Sequence, residues 1–183
     1  MSEEGDCHVV CGDRTFNIHS KVLVHQSLFF AQQLEHGITK VKLLDVDPEV
    51  FAEVVQFLYD GVVGNLSEQK MAEHMMVAEK LGIQRLKDEL TEKLMLSLTK
   101  GNVVVVGDLA QRCNAKQLLD KSVQLIVDKS VKLTREEVVR HPALVLAIME
   151  GYTSEASVVK EEIAVIKEQL RELREGMGEA KVY

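Results

Sequence analysis

The sequence predicts an α+β fold: a small β-sheet set among helices, followed by an all-α stretch and a C-terminal helix. Three observations predict it. Residues 7–18 and 41–46 carry short strand-like runs, with the two-residue alternation of strands that bury one face. From Ser20 the apolar positions change to three- and four-residue spacing, the period of a helix with one buried stripe. Beyond residue 98 the patterns are helical throughout, and the last stretch, from Thr153, adopts a stricter period of its own.

Taken in order, residues 7–18 form two strands around Gly12-Asp13, a turn pair. Cys7, Val9 and Cys11 share one face of the first strand; Phe16 and Ile18 share one face of the second. Val22, Leu23, Phe29, Phe30 and Leu34 then fit helix faces. Ser27 stands where one helix ends and the next is capped, and Gly37 closes the segment. Residues 41–46, VKLLDV, supply a third strand. Asp47-Pro48 starts a helix, with Asp as cap and Pro in the first turn, and Gly61 ends it. Ser67 opens another helix through Leu81, which Gly82 stops; Ile83–Leu98 is the next. Val103–Val106 is β-rich in propensity but follows Asn102 directly, a good cap, so it reads as the start of a buried helix. Leu109, Leu118, Leu119, Val123, Leu125 and Ile126 are core candidates, and His141-Pro142 marks a turn before the apolar ALVLAIM.

The composition narrows the function classes. The chain has 183 residues, enough for one medium or two small domains with a real core. Apolar residues are 46% and charged residues 28%, the balance of a soluble globular protein. Aromatic residues are only 4% and there is no Trp, so a base- or sugar-stacking surface is not expected. The net charge of −7 and pI near 5.4 argue against nucleic acid as a partner, because phosphate binding wants the opposite sign. No apolar run is long enough to span a bilayer, and the acidic MSEEGD start lacks the features of a secretory signal. Three cysteines without paired spacing read as reduced thiols of a cytoplasmic or nuclear protein.

The chemistry-bearing residues do not assemble into a site. Cys7, His8, Cys11 and His19 are close in sequence, but strand alternation sends His8 to the opposite face from Cys7 and Cys11. A zinc site needs ligands paired across a turn, so buried small hydrophobes are the better reading of the cysteines. Nucleophile elbow, phosphate loop and metalloprotease helix motifs are all missing from the sequence. The expectation is a non-enzyme with no metal and no cofactor.

From Thr153 onward, Val159, Ile163, Ile166, Leu170, Leu173 and Met177 are spaced 4, 3, 4, 3, 4, a coiled-coil seam. With Ile163 at a, the e positions are Lys160, Lys167 and Arg174, and Glu162 at g would face Lys167 of a parallel partner. A lone amphipathic helix is the alternative. So short a coil is marginal alone and would gain from a globular part that already holds two chains together.

Asp6 followed by CHVVCGDRTFNIHSKVLVHQSLFF resembles the opening of a BTB/POZ domain. The corresponding positions are Asp6, Phe16, His19, Val22, Leu23, Ser27, Phe29 and Phe30. LLDVDPEVFAEVVQFLYDG (43–61) and MMVAEKLGIQRLKDELTEKL (75–94) resemble two further blocks of that family. Residues 101–150 are similar to the short helical, BACK-like extension of the speckle-type (MATH-BTB) class. The resemblance implies a small sheet capped by helical hairpins over 1–98, a BACK-like extension over 99–150 and a coiled-coil helix over 154–178. It implies that Asp6, His19 and Ser27 are structural, His19 orienting the strand-to-helix turn. It implies homodimerisation through Val22, Leu23 and Val24. It further implies an adaptor that bridges a cullin-3 ubiquitin-ligase scaffold to a substrate protein, with Phe30, Leu34, Ile38 and Tyr59 in the cullin groove. The alternative is a BTB scaffold outside ligases whose task is oligomerisation and docking through the coil. Where cullin-binding members carry a hydrophobic residue, any residue and Glu, this chain has Ile38-Thr39-Lys40, with the charge inverted.

Overall fold

The computed structural model describes residues 5–35, 37–128, 131, 133–142 and 144–149. Strands β1 (Cys7–Cys11) and β2 (Arg14–Ile18) form an antiparallel hairpin, with Cys7 opposite Ile18 and Cys11 opposite Arg14. Strand β3 (Lys40–Leu43) lies on the other side of β1 and parallel to it, giving the order β2-β1-β3. A parallel neighbour cannot follow a tight turn. The chain between β2 and β3 therefore runs through a helical pair, α1 (Ser20–Gln26) and α2 (Leu28–Leu34). Cys7, Val9, Cys11, Ile18, Val41 and Leu43 line the buried face of the sheet.

The third strand begins one residue earlier than the 41–46 reading and stops at Leu43. Leu44 is 62% exposed, Asp45 adopts φ +55°, and the turn brings Asp47 to the head of the next helix. There the Asp47 carboxylate accepts from the Glu49 and Val50 amides at 2.8 and 3.2 Å, opening α3 (Pro48–Asp60). Val50, Phe51, Val54, Phe57 and Leu58 form the buried stripe of α3. Phe51 meets Phe16 edge-on at 5.0 Å between ring centres and lies 6.5 Å from Phe30.

Ser67 caps α4 (Glu68–Leu81) by accepting from the Lys70 amide at 3.3 Å. Gly82 ends α4 at φ +62°, and a Cβ there would stand 2.9 Å from Leu28 Cβ. Both the backbone and the space demand glycine. Next come α5 (Gln84–Leu96) and α6 (Val103–Arg112). Val103–Val106 is helical as expected, with Val103, Val104 and Val106 buried and Val105 exposed. Asn102 precedes α6 without capping it by its side chain. Its carbonyl oxygen instead accepts from the Thr99 amide at 2.7 Å, and its amide group donates to Ser97 O and Glu68, which ties the α5–α6 loop to the start of α4.

Residues of α6 and of the start of α7 (Lys116–Asp128), including Leu109, Ala110 and Leu118, belong to the same core as the sheet and α3–α5, so packing is continuous across residues 98–99. Packing divides the chain into Met1–Ser122 and Val123–Tyr183, with the boundary inside α7. In the second unit, Thr134 and Glu137 form a reciprocal capping box at the head of α8 (Arg135–Arg140), His141 ends it, and residues 144–149 are helical. The proposed coil, 154–178, lies outside the described residues. No described helix is long and apolar enough to cross a membrane.

Candidate protein-interaction surface

Helix α1 carries the first candidate surface. Successive helical residues point about 100° apart, so Val22, Leu23 and Val24 cannot share one face. Leu23 is fully buried, Val22 is half-buried against the core, and Val24 is 43% exposed. Leu23 is therefore a core residue and offers nothing to a partner, contrary to the expectation from sequence. Val24 is the outward member of the three.

Three hydrogen-bonded groups fix α1. The Asp6 carboxylate accepts from the Ser20 amide at 2.6 Å and from the Ser20 hydroxyl at 2.7 Å. It thus performs the N-terminal capping that His19, in the cap position, does not. The Ser20 amide and hydroxyl hold the Asp6 carboxyl below its usual range. The His19 backbone amide donates to the Tyr59 hydroxyl at 3.0 Å, and the same hydroxyl lies 2.8 Å from His19 Nδ1. This joins the β2–α1 junction to the end of α3. At the far end of α1, buried Ser27 donates to Leu81 O at 2.6 Å and accepts from the Phe30 amide at 3.2 Å. One hydroxyl both caps α2 and closes the end of α4.

The four expected groove residues do not stay together. Phe30 is fully buried, its ring 5.2 Å from Phe29 and within the Phe51 cluster, so it cannot line a surface groove. Burial of a side chain of this size is worth about 1.5–3 kcal/mol, which decides for the core. Leu34 is half-buried and Ile38 is 46% exposed. Tyr59, half-exposed, instead joins Val24 and Leu28 in an open hollow of about 600 Å³ rimmed by His25, Asp60 and Arg85. Leu28 is 70% exposed, and sequence reading gave it no role. No local signal marked it: Val103 holds the same first position of its helix, directly after Asn102, and is buried.

Sequence reading also left His74 without a partner. In the structure its Nδ1 is 2.7 Å from Lys70 O, and its Nε2 is 3.1 Å from Glu53 Oε2. Lys70 Nζ bonds the other oxygen of Glu53 at 2.7 Å. The Lys70 ammonium pulls the Glu53 carboxyl below its usual range, and Glu53 in turn raises Lys70. This is an α3–α4 clamp made of surface and buried groups. Cys7, Cys11 and Cys113 are free and buried, and burial pushes their thiols up, away from the reactive thiolate form. His8 pairs with Asn17 at 2.7 Å on the opposite sheet face. Among the described residues, no three His, Cys, Asp or Glu side chains gather to hold a metal.

The sequence model of the BTB/POZ domain matches residues 1–98, more than half of the chain. The chain belongs to the BTB/POZ domain family. Part of the chain is also similar to solved structures of low sequence identity. The BTB domain of zebrafish PATZ1 is 20% identical with a TM-score of 0.45, over 49% of this chain and 75% of that one. The BTB (Tramtrack and Bric a brac) domain of human Gigaxonin is 20% identical with a TM-score of 0.47, over 51% of this chain and 80% of that one. A BTB domain is an interaction fold, so the chain is a protein–protein interaction module, and Val24, Leu28 and Tyr59 are exposed apolar or aromatic residues on its BTB part.

Proposed function

We propose that the chain homodimerises through α1 and serves as a substrate adaptor for a cullin-3 type ubiquitin ligase. It is a non-enzymatic protein of the cytoplasm or nucleus. The observation that carries the dimer is the apolar strip of Val24 and Leu28 beside half-buried Val22: these side chains stand out of a helix pair that commits Leu23 and Phe30 to the core. For the cullin contact, Leu34 and Ile38 at the end of α2 remain available, with Tyr59 on the neighbouring hollow and Phe30 behind them as support. Residues 99–150 serve as the BACK-like extension, and the seam Val159, Ile163, Ile166, Leu170, Leu173 and Met177 adds a paired helix that reinforces the dimer.

A second reading is favoured by Lys40. It is exposed where an acidic residue would be expected, which supports a BTB scaffold outside ligases that docks partners through the dimer and the coil. Calorimetric titration of the intact chain with the cullin-3 N-terminal region separates the two. Binding at micromolar concentrations, weakened by Ile38→Asp, supports the adaptor; no heat at tens of micromolar leaves the scaffold.

A further inference from the structure

Strand β3 is an edge of the sheet, since β1 lies on one side of it and no described strand on the other. Its register fixes which backbone groups face outward. The His8 amide donates to Thr39 O at 2.7 Å, and His8 and Val10 stand opposite Lys40 and Lys42 in a parallel ladder. In such a ladder the residues on β3 that bond β1 are Thr39, Val41 and Leu43. The N–H and C=O groups of Lys40 and Lys42 therefore point away from the sheet, and no hydrogen bond to them is present among the described residues. Their side chains lie on the solvent face, opposite to buried Val41 and Leu43. Among the described residues neither ammonium has a carboxylate within ion-pair distance, while the cation of β2, Arg14, is paired with Glu49 at 2.6 Å. Lys80 adds a third cation at the C-terminal end of the strand, where its ammonium binds the Leu44 and Asp45 carbonyls. Exposed Ile38 and Leu44 flank the strand on either side. In a chain of net charge −7, this edge is a local concentration of unpaired positive charge.

We infer that the β3 edge binds an extended acidic segment of a partner protein by strand addition. The added strand accepts hydrogen bonds from the outward N–H groups of Lys40 and Lys42, donates to their outward C=O groups, and sets alternate Glu or Asp side chains against the two ammoniums. Main-chain bonds supply affinity and alternate side chains supply selectivity, as in other edge-strand recognition. The opposing account is that the lysines guard the edge against pairing, a common use of edge lysines. Charge complementarity decides between them: a guard repels other basic edges but attracts an acidic strand. The inference does not depend on the dimer or on cullin binding.

The probe is a synthetic peptide, acetyl-Thr-Glu-Val-Glu-Val-Glu-Thr-amide, titrated into the intact ¹⁵N-labelled chain. Binding is expected to shift the backbone amides of Lys40 and Lys42 and to slow their exchange with deuterium. Affinity is expected to fall with added salt, and to fall about tenfold or more in the double variant Lys40→Glu/Lys42→Glu. A peptide N-methylated at its three Glu and two Val amides, which cannot donate to the edge whichever way the added strand runs, is expected to bind far more weakly, as is one with Lys in place of Glu. The inference is overturned if those two amides stay unshifted into the millimolar range. It is also overturned if the N-methylated peptide binds as well as the original, which leaves charge attraction without strand addition, or if the charge-reversed variant binds unchanged.

Discussion

Ser27 joins the start of α2 to the end of α4 through one oxygen, which is why a small polar residue is buried at 2% exposure between apolar helices. Removing the hydroxyl leaves Leu81 O and the Phe30 amide without a partner in a dry site. Ser27→Ala is expected to lower stability by about 1–3 kcal/mol, read as a lower urea midpoint at constant slope. Asp6 acts by charge as well as by hydrogen bonding. The Ser20 amide and hydroxyl depress its folded-state pKa, so its contribution is fully present above the unfolded value of about 3.9 and is lost as pH falls through the lower folded value. Asp6→Asn is expected to be less stable than the parent at pH 7 and to lose less on acidification to pH 3, measured by urea titration at both. Equal losses on acidification would show that Asp6 does not carry this part of the acid limb. Ser27 was legible in the sequence as a cap, because caps act over a few residues; Asp6 was marked only by the family resemblance, since its partner Ser20 lies across the hairpin. His74 was not legible. Its partner Glu53 lies 21 residues away on another helix, and only the packing of α3 on α4 brings the two within 3.1 Å.

At the scale of elements, helix and strand type followed from apolar period and from the stop residues Gly61 and Gly82. What the period left open was the inward or outward rank of neighbours. Val22, Leu23 and Val24 are all apolar and consecutive, so nothing local singles out Leu23 as the one that the core takes. Phe30 is the same case: an aromatic pair at positions 29 and 30 leaves open which ring goes inside. The two valines and the leucine now separate by experiment. Val24→Asp is expected to raise the dimer dissociation constant at least tenfold with the urea midpoint of the dissociated monomer nearly unchanged, while Leu23→Asp is expected to unfold the domain. The first is checked by sedimentation equilibrium, the second by far-UV circular dichroism. The edges of β3 were missed because its end is set by Asp45 in the left-handed region and by the Asp47 cap, not by hydrophobicity. Gly82→Ala tests the α4 stop. With φ at +62° and Leu28 Cβ 2.9 Å from the new methyl, it is expected to cost about 1–2 kcal/mol.

For the whole molecule, the sequence blocks at 6–30, 43–61 and 75–94 were enough to place the BTB/POZ fold, since each couples a turn, a cap and a buried stripe in fixed order. The proposed interaction surface was less legible, because Val24, Leu28 and Tyr59 lie on α1, α2 and α3 and meet in one hollow only after folding. The proposed α1 dimer face and the proposed coil would reinforce each other through effective concentration. Deletion of residues 155–183 is therefore expected to raise the dimer dissociation constant without abolishing the dimer, and an unchanged constant would remove the coil from the assembly. The most direct measurement of all is sedimentation equilibrium of the intact chain at micromolar concentration. Homodimerisation through the exposed face of α1 requires a species of twice 20.5 kDa that Val24→Asp converts to a folded monomer. A parent chain that stays at 20.5 kDa into the hundreds of micromolar would contradict it.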